Sequence, residues 1–135
     1  PERCVLTVER RTLPGETPAG VEAEMQAILR QQGQADPAFK AEMRMGMSRP
    51  PLETPQDAAV VQVVQRAAAG VFGRPPELAG VSYWTDAATL WAAGIPSLLL
   101  GPCGGGAHAA EEWVDLESVA ACTEIYIETA RQFCA

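Results

Sequence analysis

The strongest indication of the fold comes from residues 83–114, YWTDAATLWAAGIPSLLLGPCGGGAHAAEEWV. Its centre, residues 96–100, is a short and mostly apolar run between two segments of predicted helix. Such a run is typical of a strand that is covered on both faces of an α/β sheet. The loop GPCGGGA follows and leads to His108, the only histidine of the chain. Because ligands bind outside the carboxyl ends of strands in open α/β sheets, we expect a ligand site at this loop.

His108 is the first candidate metal ligand, because neutral imidazole is the commonest side-chain ligand for metals in proteins. Glu111 and Glu112 follow three and four residues later, where a carboxylate could orient the ring. The alternative is an ordinary exposed or hydrogen-bonded histidine beside plain surface acids. Three successive glycines, residues 104–106, indicate backbone that approaches a ligand or adopts a positive φ, the alternative being a flexible surface loop.

The loop lacks residues that several other kinds of binding or catalytic loop require. A phosphate-binding loop would end in Gly-Lys-Ser/Thr, which is missing, and the dinucleotide fingerprint does not fit GPCGGG. The chain also has no GxSxG nucleophile elbow. A thiol nucleophile, Cys103 with His108 as its base, stays open as an alternative.

Helix start and stop signals predict four helices outside the apolar run. The first is capped by Thr17 and ends at Gly33. The second is capped by Thr54, with Pro55 at its first position, and ends at Gly73. The third is capped by Thr85 or Asp86 and ends before Gly94, and the last starts at Asp115 and continues to the end.

Strands are predicted at residues 5–8, 39–47 and 78–83 from their apolar and β-branched content. The first two flank the first helix and would form a β-α-β unit. Residues 48–55, SRPPLETP, contain three prolines, which break both helix and ladder. We therefore predict an α/β chain with two parts, residues 1–48 and 49–135.

Composition excludes several classes of function. With 10 Lys and Arg against 17 Asp and Glu, the net charge of −7 opposes a nucleic-acid partner, because phosphate binding needs clustered cations. No apolar run approaches the ~20 residues that cross a bilayer, so a membrane segment is not expected. The four cysteines lack CxxC spacing and are expected to be mostly buried, reduced thiols of a cytoplasmic protein. They are Cys4, Cys103, Cys122 and Cys134.

The order TDA, GIP, apolar run, GP, glycine loop and AHxxxEWV resembles the C-terminal part of one dinuclear zinc family. That family contains acetylornithine deacetylase, succinyl-diaminopimelate desuccinylase, carboxypeptidase G and the aminoacylases. Near the other end, residues 9–17, ERRTLPGET, resemble the family's lid motif of Asp-x-Arg followed by Leu-Pro-Gly-Glu, with Glu9 in place of the aspartate. The likeness runs from Leu6 to Phe133.

The resemblance implies a fold and a set of roles. Residues 1–48 would be the second half of the lid or dimerisation domain, a β-α-β half of a ferredoxin-like unit. Residues 49–135 would be the C-terminal segment of an α/β zinc-peptidase catalytic domain. His108 would be a zinc ligand and Glu112 a supporting, non-catalytic residue. Arg49, unless it is a solvated hinge residue, would bind the substrate carboxylate, and Gly104 and Gly105 would lie against the substrate.

The activity that the resemblance implies is zinc-dependent hydrolysis of an amide bond in an N-acyl amino acid or small peptide, by a homodimer that pairs through its lid. Two zinc ions would share ligands from upstream HxD and Asp-Glu-Glu motifs, neither of which occurs here. Because a catalytic zinc needs about three protein ligands, this chain alone should be inactive. Cys103 and Ala109 also depart from the family's usual glycine and threonine. The alternative is a non-catalytic, truncated or dimerisation module.

Overall fold

The computed structural model describes residues 2–134, and the chain divides into two compact units, Pro1–Pro51 and Leu52–Ala135. The division falls inside the proline-rich stretch. The first unit contains one helix, α1. The second contains three helices and a two-stranded antiparallel sheet, so the chain mixes α and β structure. The elements are α1 (Pro18–Ala35), α2 (Ala59–Phe72), α3 (Ala87–Ala92), β1 (Gly104–Gly105), β2 (Trp113–Val114) and α4 (Leu116–Phe133).

None of the helices within residues 2–134 combines the length and the apolar character needed to cross a membrane.

Helix α1 begins as its sequence predicts. Thr17 is the N-cap, and its hydroxyl oxygen accepts a hydrogen bond from the Gly20 amide at 3.1 Å, with Pro18 at the first helical position. The helix ends at Ala35, slightly beyond the predicted Gly33. No residue of α1 is fully buried, although Val21 and Met25 on its apolar face are half-buried.

The turn before α1 is held by a group of ion pairs around Arg10. Its guanidinium contacts the carboxylates of Glu16 and Glu24, the latter at 2.6 Å. Glu16 also accepts a hydrogen bond from the Leu13 amide at 2.7 Å. Both carboxylates raise the pKa of Arg10, and the hydrogen bond with Glu24 has the larger effect. The Leu-Pro-Gly-Glu turn is therefore fixed by its own glutamate.

This arrangement makes the first unit sensitive to acid. The hydrogen bond from the Leu13 amide lowers the pKa of Glu16 below its ordinary value, and the hydrogen bond from Arg10 lowers it further. A carboxyl with a depressed pKa stabilises the fold above its unfolded-state pKa, and that contribution is lost as pH falls through its folded-state value. We expect Glu16→Gln to remove a small step in thermal stability as pH falls from about 6 to about 3, the range of glutamate titration. Circular dichroism would measure it.

Glu22→Gln is the matched control for that experiment, because Glu22 lies on α1 in the same unit and accepts a hydrogen bond from Gln26 one turn away, but does not contact Arg10. An equal loss of the acid step in both variants would contradict the role given to Glu16.

The structure assigns no strand to any of the four predicted segments, residues 5–8, 39–47, 78–83 and 96–100. Within residues 2–134, no backbone hydrogen bond joins the first two segments, so the β-α-β arrangement is not confirmed. A strand exists only in a ladder, and these segments have no ladder partner among the described residues. Several of their apolar side chains are strongly exposed, among them Leu6 at 82% and Met47 at 85%.

The predicted start of α2 is wrong. The helix begins at Ala59 after Ala58, which makes no side-chain cap bond. The Thr54 hydroxyl, predicted to be the cap, instead donates to the Ser97 carbonyl. The Ala58 amide donates to the Pro55 carbonyl at 3.0 Å, so a turn precedes the helix. The predicted end is confirmed, because Gly73 adopts a left-handed φ of 74°.

Helix α3 ends near the predicted place, where Gly94 has a φ of 81°. The capping role predicted for the Asp86 side chain is wrong. Asp86 occupies the N-cap position but lies in right-handed helical conformation, and its carboxylate makes no cap hydrogen bond. The Ala88 amide bonds instead to the Thr85 carbonyl at 3.1 Å, in a backbone turn that leads into the helix.

The core of the second unit lies between α2 and α4. Ile125 of α4 is completely buried against Ala67 and Ala68 of α2. The two alanines carry only methyl groups, which leaves room for the branched side chain of Ile125. Val71 and Leu100 pack against this cluster from its edge.

The cysteines differ from the prediction. Cys122 of α4 is buried, but Cys4, Cys103 and Cys134 are exposed, and none of the four is in a disulfide. The expectation of mostly buried thiols is wrong because three of the four lie on segments without a covering layer.

Candidate functional site

The glycine loop is the start of a short β-hairpin. Strands β1 and β2 pair antiparallel, with Gly104 opposite Val114 and Gly105 opposite Trp113. The hairpin was not predicted, because two glycines have poor strand propensity. It carries His108 on the connection between its strands.

The hairpin backbone itself requires glycine at positions 104 and 106, and the Trp113 side chain lies close to Gly105. A Cβ on Gly104 would lie 2.4 Å from the Trp113 carbonyl oxygen, and one on Gly105 would lie 2.9 Å from the indole nitrogen of Trp113. Gly106 has a φ of +75°, and a Cβ there would lie 2.0 Å from the Glu111 carbonyl oxygen. The predicted positive φ is therefore confirmed at Gly106. The close approach is to the chain's own returning strand, and substrate binding by Gly104 and Gly105 stays a prediction.

His108 lies exposed on this connection, with a φ of 64°. It is the only non-glycine residue with positive φ in the described part of the chain. The Ala109 amide donates to the Gly106 carbonyl at 2.8 Å, which closes a turn around His108. The ring is thus accessible from outside the hairpin and is not packed into an apolar core.

The carboxylates predicted to support His108 are also exposed. Glu111 and Glu112 lie on the returning side of the connection, immediately before β2. Among residues 2–134, no hydrogen bond or ion pair joins either carboxylate to the imidazole. The supporting role that the resemblance gives to Glu112 stays a prediction.

The alternative pair of Cys103 and His108 gains no contact from the structure. Cys103 is exposed, and its backbone is fixed at both polar atoms: the amide donates to the Ser118 hydroxyl and the carbonyl accepts from the Asp115 amide, both at 2.9 Å. Over the described range, no hydrogen bond joins its thiol to His108. Cys103 therefore takes part in the hairpin through its main chain.

Ser118 is the residue of this region that the sequence did not point to. Helix α4 starts at Asp115 as predicted, and the Asp115 carboxylate caps it by accepting from the Ser118 amide at 2.8 Å. The contact of Ser118 with Cys103 was not predicted. A serine three residues after a helix cap is the signal that could have pointed to it.

No group of three or more His, Cys, Asp or Glu residues in positions 2–134 lies together so that it could hold a metal ion. His108 is a suitable zinc ligand by its chemistry and exposure, but one imidazole does not complete a zinc site. Arg49 belongs to the first unit, where it is exposed and has contacts of its own.

An apolar cleft of about 400 Å³ runs beside residues 96–100 in the second unit. The Leu100 carbonyl at its edge accepts from the Tyr126 hydroxyl at 2.6 Å. No charged side chain lines the cleft and His108 is not part of it, so its walls offer mainly apolar contact together with a few hydroxyl groups. Its walls are Val60, Val64, Ala87, Leu90, Pro96, Ser97, Leu98, Leu100, Tyr126 and Thr129.

Comparison with known proteins relates this chain to a family of peptidases. A family model described as peptidase family M20/M25/M40 matches residues 4–132. The chain is also 29% identical over 137 residues to acetylornithine deacetylase from Myxococcus xanthus, an alignment that covers 99% of this chain and 34% of the relative. The chain thus spans about a third of the length of the curated relative it matches. No solved structure matches.

Proposed function

The chain belongs to the M20/M25/M40 peptidase family, and we propose on this basis that it is the C-terminal part of a zinc-dependent amidohydrolase. The proposed reaction is hydrolysis of an amide bond in an N-acyl amino acid or small peptide. The name of the similar protein from Myxococcus xanthus, a deacetylase of acetylornithine, supports an N-acyl amino acid as the substrate class.

The observation that carries this proposal is the presentation of His108. The ring is exposed at the turn that connects the two strands of the hairpin, and the backbone beneath it adopts a left-handed conformation that is uncommon for residues other than glycine. A side chain held in that way is suited to reach a centre whose other groups come from elsewhere. In the proposed site His108 binds zinc, and Glu112 supports that ligand.

Zinc in such a site acts as a Lewis acid toward the amide carbonyl. The residues of this chain would hold the metal and orient the substrate. His108 supplies one nitrogen ligand, while Arg49 would pair its guanidinium with the substrate carboxylate in the bidentate geometry that arginine favours. The backbone at Gly104 and Gly105 would lie against the substrate. The remaining ligands and the general base come from outside this chain in our proposal, so the isolated chain is inactive.

We also propose that the protein forms a homodimer through the first unit. Val5, Leu6 and Met47 of that unit are 76%, 82% and 85% exposed, and a partner surface would remove this apolar area from water. Cytoplasmic localisation is part of the same proposal, and the exposed free thiols of Cys4, Cys103 and Cys134 are compatible with a reducing compartment.

A metal-removal experiment on the complete protein tests the proposed function. We expect the purified protein to contain zinc, to hydrolyse N-acetyl amino acids, and to lose that activity on chelation and regain it with added zinc. Mass spectrometry of the metal and a ninhydrin assay of released amino acid would measure both. Hydrolysis that persists after the zinc is removed would exclude a zinc-dependent reaction.

The second candidate function is a non-catalytic dimerisation module. It is favoured by the lack, within residues 2–134, of any three-residue metal-binding group. Size-exclusion chromatography with metal analysis of the 135-residue chain would separate the two. A metal-free dimer whose parent protein also lacks hydrolase activity supports the module, whereas stoichiometric zinc and turnover by the chain would reject it.

A further inference from the structure

The hairpin that carries His108 is joined at its base to the first turn of α4. The Cys103 amide donates to the Ser118 hydroxyl at 2.9 Å, and the Asp115 amide donates to the Cys103 carbonyl at 2.9 Å. Cys103 directly precedes β1, and Asp115 directly follows β2. The bond between Asp115 and Cys103 therefore closes the hairpin at the end opposite His108, and the bond to Ser118 joins that end to α4.

Ser118 connects this closure to the helix cap through a single side chain. Its hydroxyl accepts from the Cys103 amide and donates to the Asp115 carbonyl at 2.7 Å, while its own amide donates to the Asp115 carboxylate at 2.8 Å. In an ordinary capping box, the side chain three residues after the cap returns to the amide of the cap residue. Here that amide bonds to Cys103, and the serine reaches the other strand of the hairpin instead.

The hairpin depends on this connection because its own ladder is very short. Strands β1 and β2 pair over two residues each, and a two-stranded hairpin is at best marginally stable in water. Helix α4 is firmly held, since its Ile125 is fully buried against α2. A continuous line of contacts thus runs from the core, through the cap of α4, to the backbone that bears His108.

We propose that Ser118 is a positioning residue for His108, acting through Cys103 and the hairpin. The role of His108 as a zinc ligand rests on the proposed function, whereas the support of the hairpin by Ser118 does not. The described hydrogen bonds of Ser118 are to Cys103 and Asp115, so it acts on His108 only through the hairpin. Its hydroxyl selects the hairpin conformation from which the imidazole is presented.

Amide hydrogen exchange of the metal-free 135-residue chain tests this directly. In Ser118→Ala we expect exchange at the amides of Cys103 and Asp115 to be faster by about fivefold or more, as the loss of one hydrogen bond predicts. Ser118→Thr keeps the hydroxyl and should restore the protection. The coupling constant between the amide and α protons of His108 should lose its left-handed value in the alanine variant and keep it in the threonine variant.

Thr123→Ala is the matched control. It also removes a hydroxyl from α4, but that hydroxyl donates to the Val119 carbonyl within the helix at 3.0 Å and does not touch the hairpin. Exchange at Cys103 should be unchanged in this variant. Unaltered exchange in Ser118→Ala, or an equal rise in Thr123→Ala, would overturn the role of Ser118.

A zinc titration of the complete protein keeps this inference separate from the proposed function. If Ser118 positions a zinc ligand, Ser118→Ala should weaken zinc binding by about 10-fold, the lower end of the effect of losing a partner bonded directly to a ligand. Equal zinc affinity in Ser118→Ala and the unaltered protein would overturn its positioning of a ligand. Zinc binding that is independent of His108 would instead refute the proposed function, while the exchange result for the hairpin still stands.

Discussion

Replacing His108 by alanine in the complete protein is expected to abolish zinc-dependent amide hydrolysis. His108 is the only histidine of the 135 residues, and it is exposed at the turn of the hairpin, so no other imidazole of this chain can replace it as a ligand. A catalytic zinc is held by about three protein ligands, and the loss of one leaves the metal weakly bound. We expect kcat/KM to fall by several orders of magnitude together with the zinc content. Steady-state kinetics and elemental analysis would measure these two quantities.

Glu111→Gln is the control for the His108 variant. Glu111 lies on the same connection and is exposed, but the family resemblance gives the supporting role to Glu112. Its activity should stay within a few-fold of the unaltered protein. Full activity in His108→Ala would refute the ligand assignment and with it the proposed zinc site.

Gly106→Ala should disrupt the hairpin and produce the second large effect. The added Cβ would lie 2.0 Å from the Glu111 carbonyl oxygen, and the φ of +75° is unfavourable for alanine. The backbone must move, and since a misplacement of about 1 Å can cost about 100-fold in rate, we expect a loss of at least that size in the complete protein. In the 135-residue chain, amide exchange at β1 and β2 should become fast.

Gly101→Ala distinguishes this local effect from a general effect of losing a glycine. Gly101 precedes the hairpin, its φ is not in the left-handed region, and a Cβ there meets nothing within 4 Å. The 135-residue Gly101→Ala chain should keep its hairpin protection. If Gly106→Ala also keeps slow exchange, the hairpin does not depend on that glycine.

The helices could be predicted well because their signals are local. Thr17 and Asp115 cap α1 and α4 through bonds that span three residues, and Gly73 ends α2 by a backbone conformation of its own. Thr54 failed as a cap because its hydroxyl bonds to Ser97, which lies 43 positions away in the sequence. No local pattern reveals a competing partner at that distance.

The strands were the least predictable part of the fold. Apolar content at residues 5–8 and 96–100 suggests strands, but a ladder also requires a second segment alongside, and the described residues supply none. Conversely, Gly104 and Gly105 form the strand β1 against their propensity, because only glycine permits the close approach of Trp113. His108 could be singled out from its position after the glycine loop, whereas its support by Ser118 depends on a bond between distant elements.

The left-handed backbone at position 108 also limits which amino acids can replace this histidine during evolution. Glycine or asparagine would occupy the position with less strain, whereas a typical L-residue there costs about 1 kcal/mol or more. A change that relieved the strain would remove the imidazole, and a change to a β-branched residue would increase it. Substitutions at this position are therefore expected to remove the imidazole in one step. A related sequence with glycine or asparagine here is expected to lack the function of His108.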